Sequence, residues 1–136
     1  MQMLTQPNGL RVVLVELAHL HTTTVSLFIK VGSRFETAHE NGLSHFVEHM
    51  LFRGTERYAS SLLLNTAVER LGSMLHAETG RDYTLFQMGL PPERLAEGLD
   101  IIADLMSSPR FEDIDLEREL VLEELNEDYN DDGAEI

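Results

Sequence analysis

The sequence contains no cysteine, no long apolar run and few basic residues. The absence of cysteine excludes disulfides and thiolate metal sites, so any bound metal must be held by nitrogen and oxygen ligands. No apolar run approaches the roughly 20 residues of a membrane-spanning helix. The first residues lack the basic region and small-residue cleavage site of a signal peptide. We therefore expect a cytoplasmic protein without a membrane partner.

The balance of charge is strongly acidic, with 10 Lys and Arg against 24 Asp and Glu and a formal net charge of −14. A nucleic-acid-binding protein needs a basic surface to neutralise phosphates, so this class is not expected. Half of the acidic residues lie beyond position 111, where Arg118 is the one cation. Such a run is typical of a solvated helix face. The acidic surface also favours basic peptides as binding partners.

The pattern of apolar residues predicts one α+β domain that covers all 136 residues. There is no internal repeat and no low-complexity linker. Alternating or valine-rich runs predict strands at 10–17, 22–31, 75–77 and 82–90, with the first strand buried and the first two as neighbours in a sheet. Helical spacing predicts four helices. The first runs from Asn41 as N-cap to Gly54 as C′ residue, and the second covers residues 59–71. The third covers residues 93–106, and Pro92 before it is suited to the first helical position. The fourth begins at Asp113 as N-cap, and its residues expected to face the core are Leu116, Leu120, Val121, Leu122 and Leu125.

The first predicted helix lies in the stretch NGLSHFVEHMLFRGT, which contains the pattern H-x-x-E-H. On a helix, His45 and His49 project from the same face one turn apart, as two nitrogen ligands of one metal ion would. Glu48 lies beside them and can reach a water at the metal without itself being a ligand. A plain solvated face is the alternative interpretation. The surrounding apolar residues favour partial burial, where ionisable groups need a partner or a metal.

A zinc hydrolase usually has three protein ligands and one open position, so a third ligand is needed. Glu117 and Glu124 are seven residues apart in the acidic last helix and therefore share a face, with Val121 between them. Burial of both carboxylates without a nearby cation would be costly, and a divalent metal would remove that cost. The sequence pattern alone does not show whether Glu117 or Glu124 is the third ligand.

Four segments, GSRFE, NGLSHFVEHMLFRGTERY, LGSMLHAETGRDYT and ERELVLEE, resemble in order and spacing the N-terminal catalytic half-module of the M16 metallopeptidases, the inverzincin group. The resemblance implies a LuxS/MPP-like metallohydrolase fold, with an antiparallel or mixed sheet packed on helices. It implies a zinc-dependent endopeptidase that hydrolyses peptides with a metal-activated water.

The same resemblance assigns residues to roles. His45, His49 and Glu124 match the zinc ligands, Glu48 matches the general base, and Glu117 matches an acidic residue that supports the ligand histidines. Three further residues match the substrate-binding part of the family's site: Phe52 in a side-chain pocket, and His76 and Ala77 in an edge strand that pairs with the substrate backbone. The family usually has asparagine in place of His76, which leaves that side-chain contact open.

The resemblance further implies a second M16-type domain, in the same chain or in a partner subunit, that helps to enclose the peptide substrate. We therefore expect the chain to be the N-terminal, truncated part of a catalytic domain, with bare apolar surface that promotes self-association. Two other functions remain open: a non-catalytic structural or peptide-binding relative, and a metal hydrolase that acts on other substrates. The ligand set suits zinc but also admits manganese or cobalt.

Overall fold

The N-terminal residues form a small antiparallel hairpin of two strands, β1 (Gln2–Thr5) and β2 (Arg11–Leu14). The predicted strand at 10–17 is thus shorter, and its predicted pairing with the next strand is wrong. The Asn8-Gly9 turn, with Gly9 at a φ of 87°, folds the chain back on upstream residues instead. Because the hairpin is separate from the main sheet, its apolar side chains are exposed, contrary to the predicted burial.

The main sheet has three antiparallel strands, β3 (Thr23–Ile29), β4 (Leu75–Thr79) and β5 (Thr84–Leu90), in the order β3-β5-β4. Leu27 and Ala77 both pair with Phe86 in the central strand. The alternation predicted for β3 is confirmed, since Val25, Leu27 and Ile29 pack against the core. The predicted strands at 75–77 and 82–90 are confirmed with small shifts of their ends.

Four helices accompany the sheet in this computed structural model, which describes the backbone of residues 1–132 and the side chains of residues 1–124. They are α1 (Leu43–Leu51), α2 (Ser61–Glu69), α3 (Leu95–Ser107) and α4 (Ile114–Asp132). Pro92 begins a short 3-10 turn before α3 rather than α3 itself. The core lies between β5 and the apolar faces of α2 and α3. No helix in the described part combines the length and apolar character that a membrane crossing needs.

The two ends of α1 differ from the prediction. Gly42, at a φ of 88°, is the N-cap in place of Asn41. The cap is supplied by Glu36, whose carboxylate accepts hydrogen bonds from the backbone N–H groups of Gly42 (2.8 Å) and Ser44 (2.7 Å). Hydrogen bonds from Ser44, the side-chain one first, hold the pKa of Glu36 below its ordinary value of 4.5. A cap that reaches back from a loop six residues upstream leaves no local signal at the helix start.

Gly54 is likewise not the C′ residue, because α1 ends at Leu51 with Phe52 as C-cap. Gly54 is needed for a close approach of two backbone segments. A Cβ atom there would lie 2.5 Å from the carbonyl oxygen of Tyr58, and the φ is 132°.

Helix α4 buries a different face from the one predicted. Val121 is buried, but Leu116, Leu120 and Leu122 are about half exposed, and Leu125 lies outside the described side chains. The residue that accompanies Val121 in the interior is Glu117, which is only 6% exposed. Asp113 directly precedes the helix, at a φ of 55°. The pattern of apolar residues predicted the wrong face because the buried face of α4 includes the charged Glu117.

Candidate metal centre

Helix α1 brings its two histidines together as the H-x-x-E-H spacing predicts. The Nε2 atoms of His45 and His49 are 3.1 Å apart. The Nδ1 atom of His49 lies 3.0 Å from Oε1 of Glu117. An ionised carboxylate only accepts hydrogen bonds, so the proton of a neutral His49 is on Nδ1. Its Nε2 atom then presents a lone pair toward His45, as a metal ligand does.

Glu124 completes a group of three possible ligands. Its Oε2 atom lies 3.4 Å from Nε2 of His49. Donor atoms of His45, His49 and Glu124 all lie within 4.8 Å of one another. In a tetrahedral zinc site with bonds of roughly 2.0–2.1 Å, neighbouring donor atoms are about 3.3 Å apart. The separations of 3.1 and 3.4 Å at Nε2 of His49 and the N/O donor set therefore fit a zinc ion.

The burial argument for the two carboxylates is corrected by the structure. Glu117 is buried, but Nη1 of Arg53 lies 3.2 Å from its Oε2 atom and compensates its charge. Glu124 is not buried, since its side chain is 48% exposed. Glu117 thus lies beside His49 and outside the group of three possible ligands. Arg53 was not singled out from the sequence.

Glu48 precedes His49 in α1, and a residue of the sheet contacts its side chain. The hydroxyl of Thr79, at the end of β4, donates a hydrogen bond to Oε2 of Glu48. The hydroxyl oxygens of Thr79 and Thr84 are 3.1 Å apart. Because Thr79 donates to the carboxylate, its oxygen can accept from Thr84. Sequence reasoning did not single out Thr79 and missed this contact.

A cleft of about 410 Å³ opens beside these residues and is bordered by the predicted substrate-binding positions Phe52, His76 and Ala77. Phe52 stacks on Phe86, with ring centroids 6.2 Å apart. Along β4, Ala77 is half-buried, whereas His76 is exposed at the rim. Within the described residues β4 pairs with β5 alone, so one of its edges borders the cleft unpaired. Six of the eight predicted site residues therefore line this cleft, and the other two, His45 and Glu124, are grouped with His49 at its border.

Comparison with known proteins supports one family. The model of the insulinase family, peptidase family M16, matches residues 11–133. A probable β subunit of the mitochondrial-processing peptidase from Arabidopsis thaliana is 38% identical over 125 residues, which are 90% of this chain and 23% of that protein. An uncharacterized zinc protease from Streptomyces coelicolor is 34% identical over 131 residues, or 95% of this chain and 28% of that protein.

Solved structures agree. A protease from Helicobacter pylori superposes with a TM-score of 0.84 at 33% identity, covering 90% of this chain and 30% of that one. The first half of the periplasmic protease PqqL from Escherichia coli superposes with a TM-score of 0.81 at 29% identity, covering 92% of this chain and 29% of that one. The chain thus spans less than a third of each of these relatives. Its fold is the α+β fold of their protease domains, and the chain belongs to the insulinase family, peptidase family M16.

Proposed function

We propose that this chain holds the metal ligands and the general base of a zinc-dependent endopeptidase. The observation that carries the proposal is the convergence of His45, His49 and Glu124, with donor atoms within 4.8 Å, at the border of a cleft that His49 and Glu48 line. Zinc held by these residues would supply a Lewis acid that acidifies a water and polarises the scissile carbonyl.

The proton transfers fall to Glu48. Its Oε2 atom accepts a hydrogen bond from the hydroxyl of Thr79, which fixes the orientation of the carboxylate. The other carboxylate oxygen, Oε1, can then take a proton. Glu48 removes the proton from the attacking water as the carbon–oxygen bond forms. It then delivers the proton to the leaving nitrogen as the carbon–nitrogen bond breaks. The products are a free carboxylate and an amine, and no covalent enzyme intermediate is required.

The edge strand β4 supports a peptide as substrate. An extended peptide can add to an unpaired strand edge through main-chain hydrogen bonds, with side-chain pockets supplying selectivity. The edge at Ala77 lies along the cleft, and the ring of Phe52 offers an apolar wall for one substrate side chain. A basic peptide would also be attracted by the net charge of −14.

We also propose that a second M16-type domain, in the same chain or in a partner subunit, covers this cleft. The proposal is supported by the cleft's openness and by the relatives, of which the chain covers 23% to 30%. The name of the Arabidopsis relative describes a subunit.

The test is to replace Glu48 by glutamine in the full gene product. Glu48→Gln removes the base but leaves His45, His49 and Glu124 in place. We expect zinc to be retained while hydrolysis of a quenched fluorescent peptide falls by about 10²-fold or more. Glu69→Gln, an equal change at an exposed position at the end of α2, is the control. A Glu48→Gln enzyme with the wild-type rate would overturn the assignment of the base.

Zinc analysis of the same samples separates the alternatives. A protein without zinc would support a structural relative, and a zinc protein without proteolysis would support a hydrolase of another substrate class.

A further inference from the structure

Arg53 joins the residues after α1 to the start of α4. Its Nη1 atom lies 3.2 Å from Oε2 of Glu117, and its Nη2 atom lies 3.2 Å from Oδ2 of Asp113. The Arg53 side chain is only 26% exposed. A guanidinium that spans one carboxylate just before a helix and another in its first turn fixes both its own orientation and theirs. Arg53 therefore restrains the first turn of α4.

The carboxylate of Glu117 is shared between Arg53 and the histidine pair. Its Oε2 atom faces Arg53, whereas its Oε1 atom lies 3.0 Å from Nδ1 of His49. Rotation of this carboxylate would break both contacts together. By holding one oxygen, Arg53 keeps the other aligned with His49 and thereby keeps Nε2 of His49 aimed at the ligand group.

In the part of α4 whose side chains the structure describes, few other contacts fix its position. Of its side chains up to residue 124, only Glu117 and Val121 are buried, while Leu116, Leu120 and Leu122 are about half exposed. Glu124 lies two turns beyond Glu117 on the same face. Any shift or rotation at the first turn would therefore move the carboxylate of Glu124 relative to His49.

We propose that Arg53 is a positioning residue of the metal centre, which clamps α4 to α1 and so aligns both His49 and Glu124. The inference rests on the proposed zinc site, and it concerns how the ligands are aligned rather than which residues they are.

Simple electrostatics makes the opposite prediction. Removing a cation near a divalent ion lowers repulsion and should tighten binding. Loss of alignment should weaken it, because removal of groups that orient metal ligands typically lowers metal affinity about 10- to 100-fold. The sign of the change therefore distinguishes a positioning role from a Coulombic one.

The experiment measures zinc affinity by competition with a chromophoric chelator, with folding checked by circular dichroism. We expect Arg53→Met to bind zinc about 10- to 100-fold more weakly than wild type. Arg53→Lys restores a cation but not the two guanidinium nitrogens that contact Glu117 and Asp113 separately, so it should regain part of the lost zinc affinity. Arg118→Met removes an exposed arginine of α4 that pairs with Asp115, and this matched control should bind as wild type does.

The outcomes separate the two claims. If His45→Ala abolishes zinc binding but folded Arg53→Met binds as tightly as wild type or more tightly, the inference fails and the zinc site stands. If Arg53→Lys binds no better than Arg53→Met, the ion-pair mechanism is contradicted. If Arg53→Met does not fold, Asp113→Asn, a change at an exposed position, is measured instead. We expect Asp113→Asn to bind zinc severalfold more weakly than wild type. An unchanged zinc affinity would overturn the proposed positioning role of Arg53. A wild-type chain that binds no zinc overturns both proposals.

Discussion

At the scale of single residues, the orientation of Glu48 depends on one hydroxyl group from the sheet. We predict that Thr79→Val lowers kcat for a quenched peptide about tenfold while KM and zinc affinity stay unchanged, because the base loses its fixed orientation but the ligands do not move. Thr79→Ser keeps the hydroxyl and should restore most of the rate. Equal rates for Thr79→Val and wild type would show that the contact with Glu48 is not needed.

Local sequence spacing predicted part of the candidate site but not all of it. His45, Glu48 and His49 are visible in the sequence because one helix turn brings them together. Glu117 and Thr79 act on them across 68 and 31 residues of chain, respectively. No local pattern reports such contacts. The family resemblance supplied Glu117 and Glu124, but Arg53 and Thr79 required the three-dimensional arrangement.

At the scale of secondary-structure elements, the start of α1, the helix with the H-x-x-E-H pattern, depends on a distant carboxylate. Glu36 caps Gly42 and Ser44 and places negative charge at the positive end of the helix dipole. We predict that Glu36→Ala lowers the free energy of unfolding by about 1 kcal/mol at neutral pH. Chemical denaturation measures the difference.

The pH dependence of that difference has a defined sign. The folded-state pKa of Glu36 lies below its ordinary value of 4.5, so its contribution is fully present above that value and is lost as the pH falls through the lower, folded-state pKa. The stabilities of wild type and Glu36→Ala should therefore converge in acid. A difference that stays constant down to low pH would contradict the capping role.

The loop after α1 depends on a glycine. Gly54→Ala should destabilise the protein by about 2–4 kcal/mol, because the added Cβ would lie 2.5 Å from a backbone oxygen and the φ of 132° is strained for alanine. Gly89→Ala is the control, since a Cβ atom there meets nothing within 4 Å. Thermal unfolding of both variants gives the comparison. Similar midpoints for the two would mean that the loop adjusts freely.

The elements that the sequence predicted poorly are those in which burial and apolar character do not coincide. Hydrophobic periodicity reports the buried face only where burial is apolar. In α4 the inward face combines Val121 with the salt-bridged Glu117, so the leucines indicated the wrong side. In the hairpin of β1 and β2, the valine-rich run lies on the surface, so richness in valine did not mean burial.

At the scale of the whole molecule, acidic charge and exposed apolar surface oppose each other. Large apolar side chains such as Val15, Phe28, Leu62 and Met74 are at least 60% exposed. We predict concentration-dependent self-association on size-exclusion chromatography, increasing with salt as the repulsion from the net charge of −14 is screened. A chain that stays monomeric at every concentration and salt level, and does not enhance ANS fluorescence, would contradict this.

The proposed zinc site, in which α1 and α4 bring their ligand side chains together, is the central claim about the whole molecule. The most direct measurement is the zinc content of the dialysed chain by mass spectrometry, alongside His45→Ala, His49→Ala and Glu124→Gln. We predict about one zinc ion per wild-type chain, none in either histidine variant and a reduced amount in Glu124→Gln. A metal-free wild-type chain in zinc-containing buffer, or histidine variants that retain a full complement of zinc, would contradict the proposed metal centre.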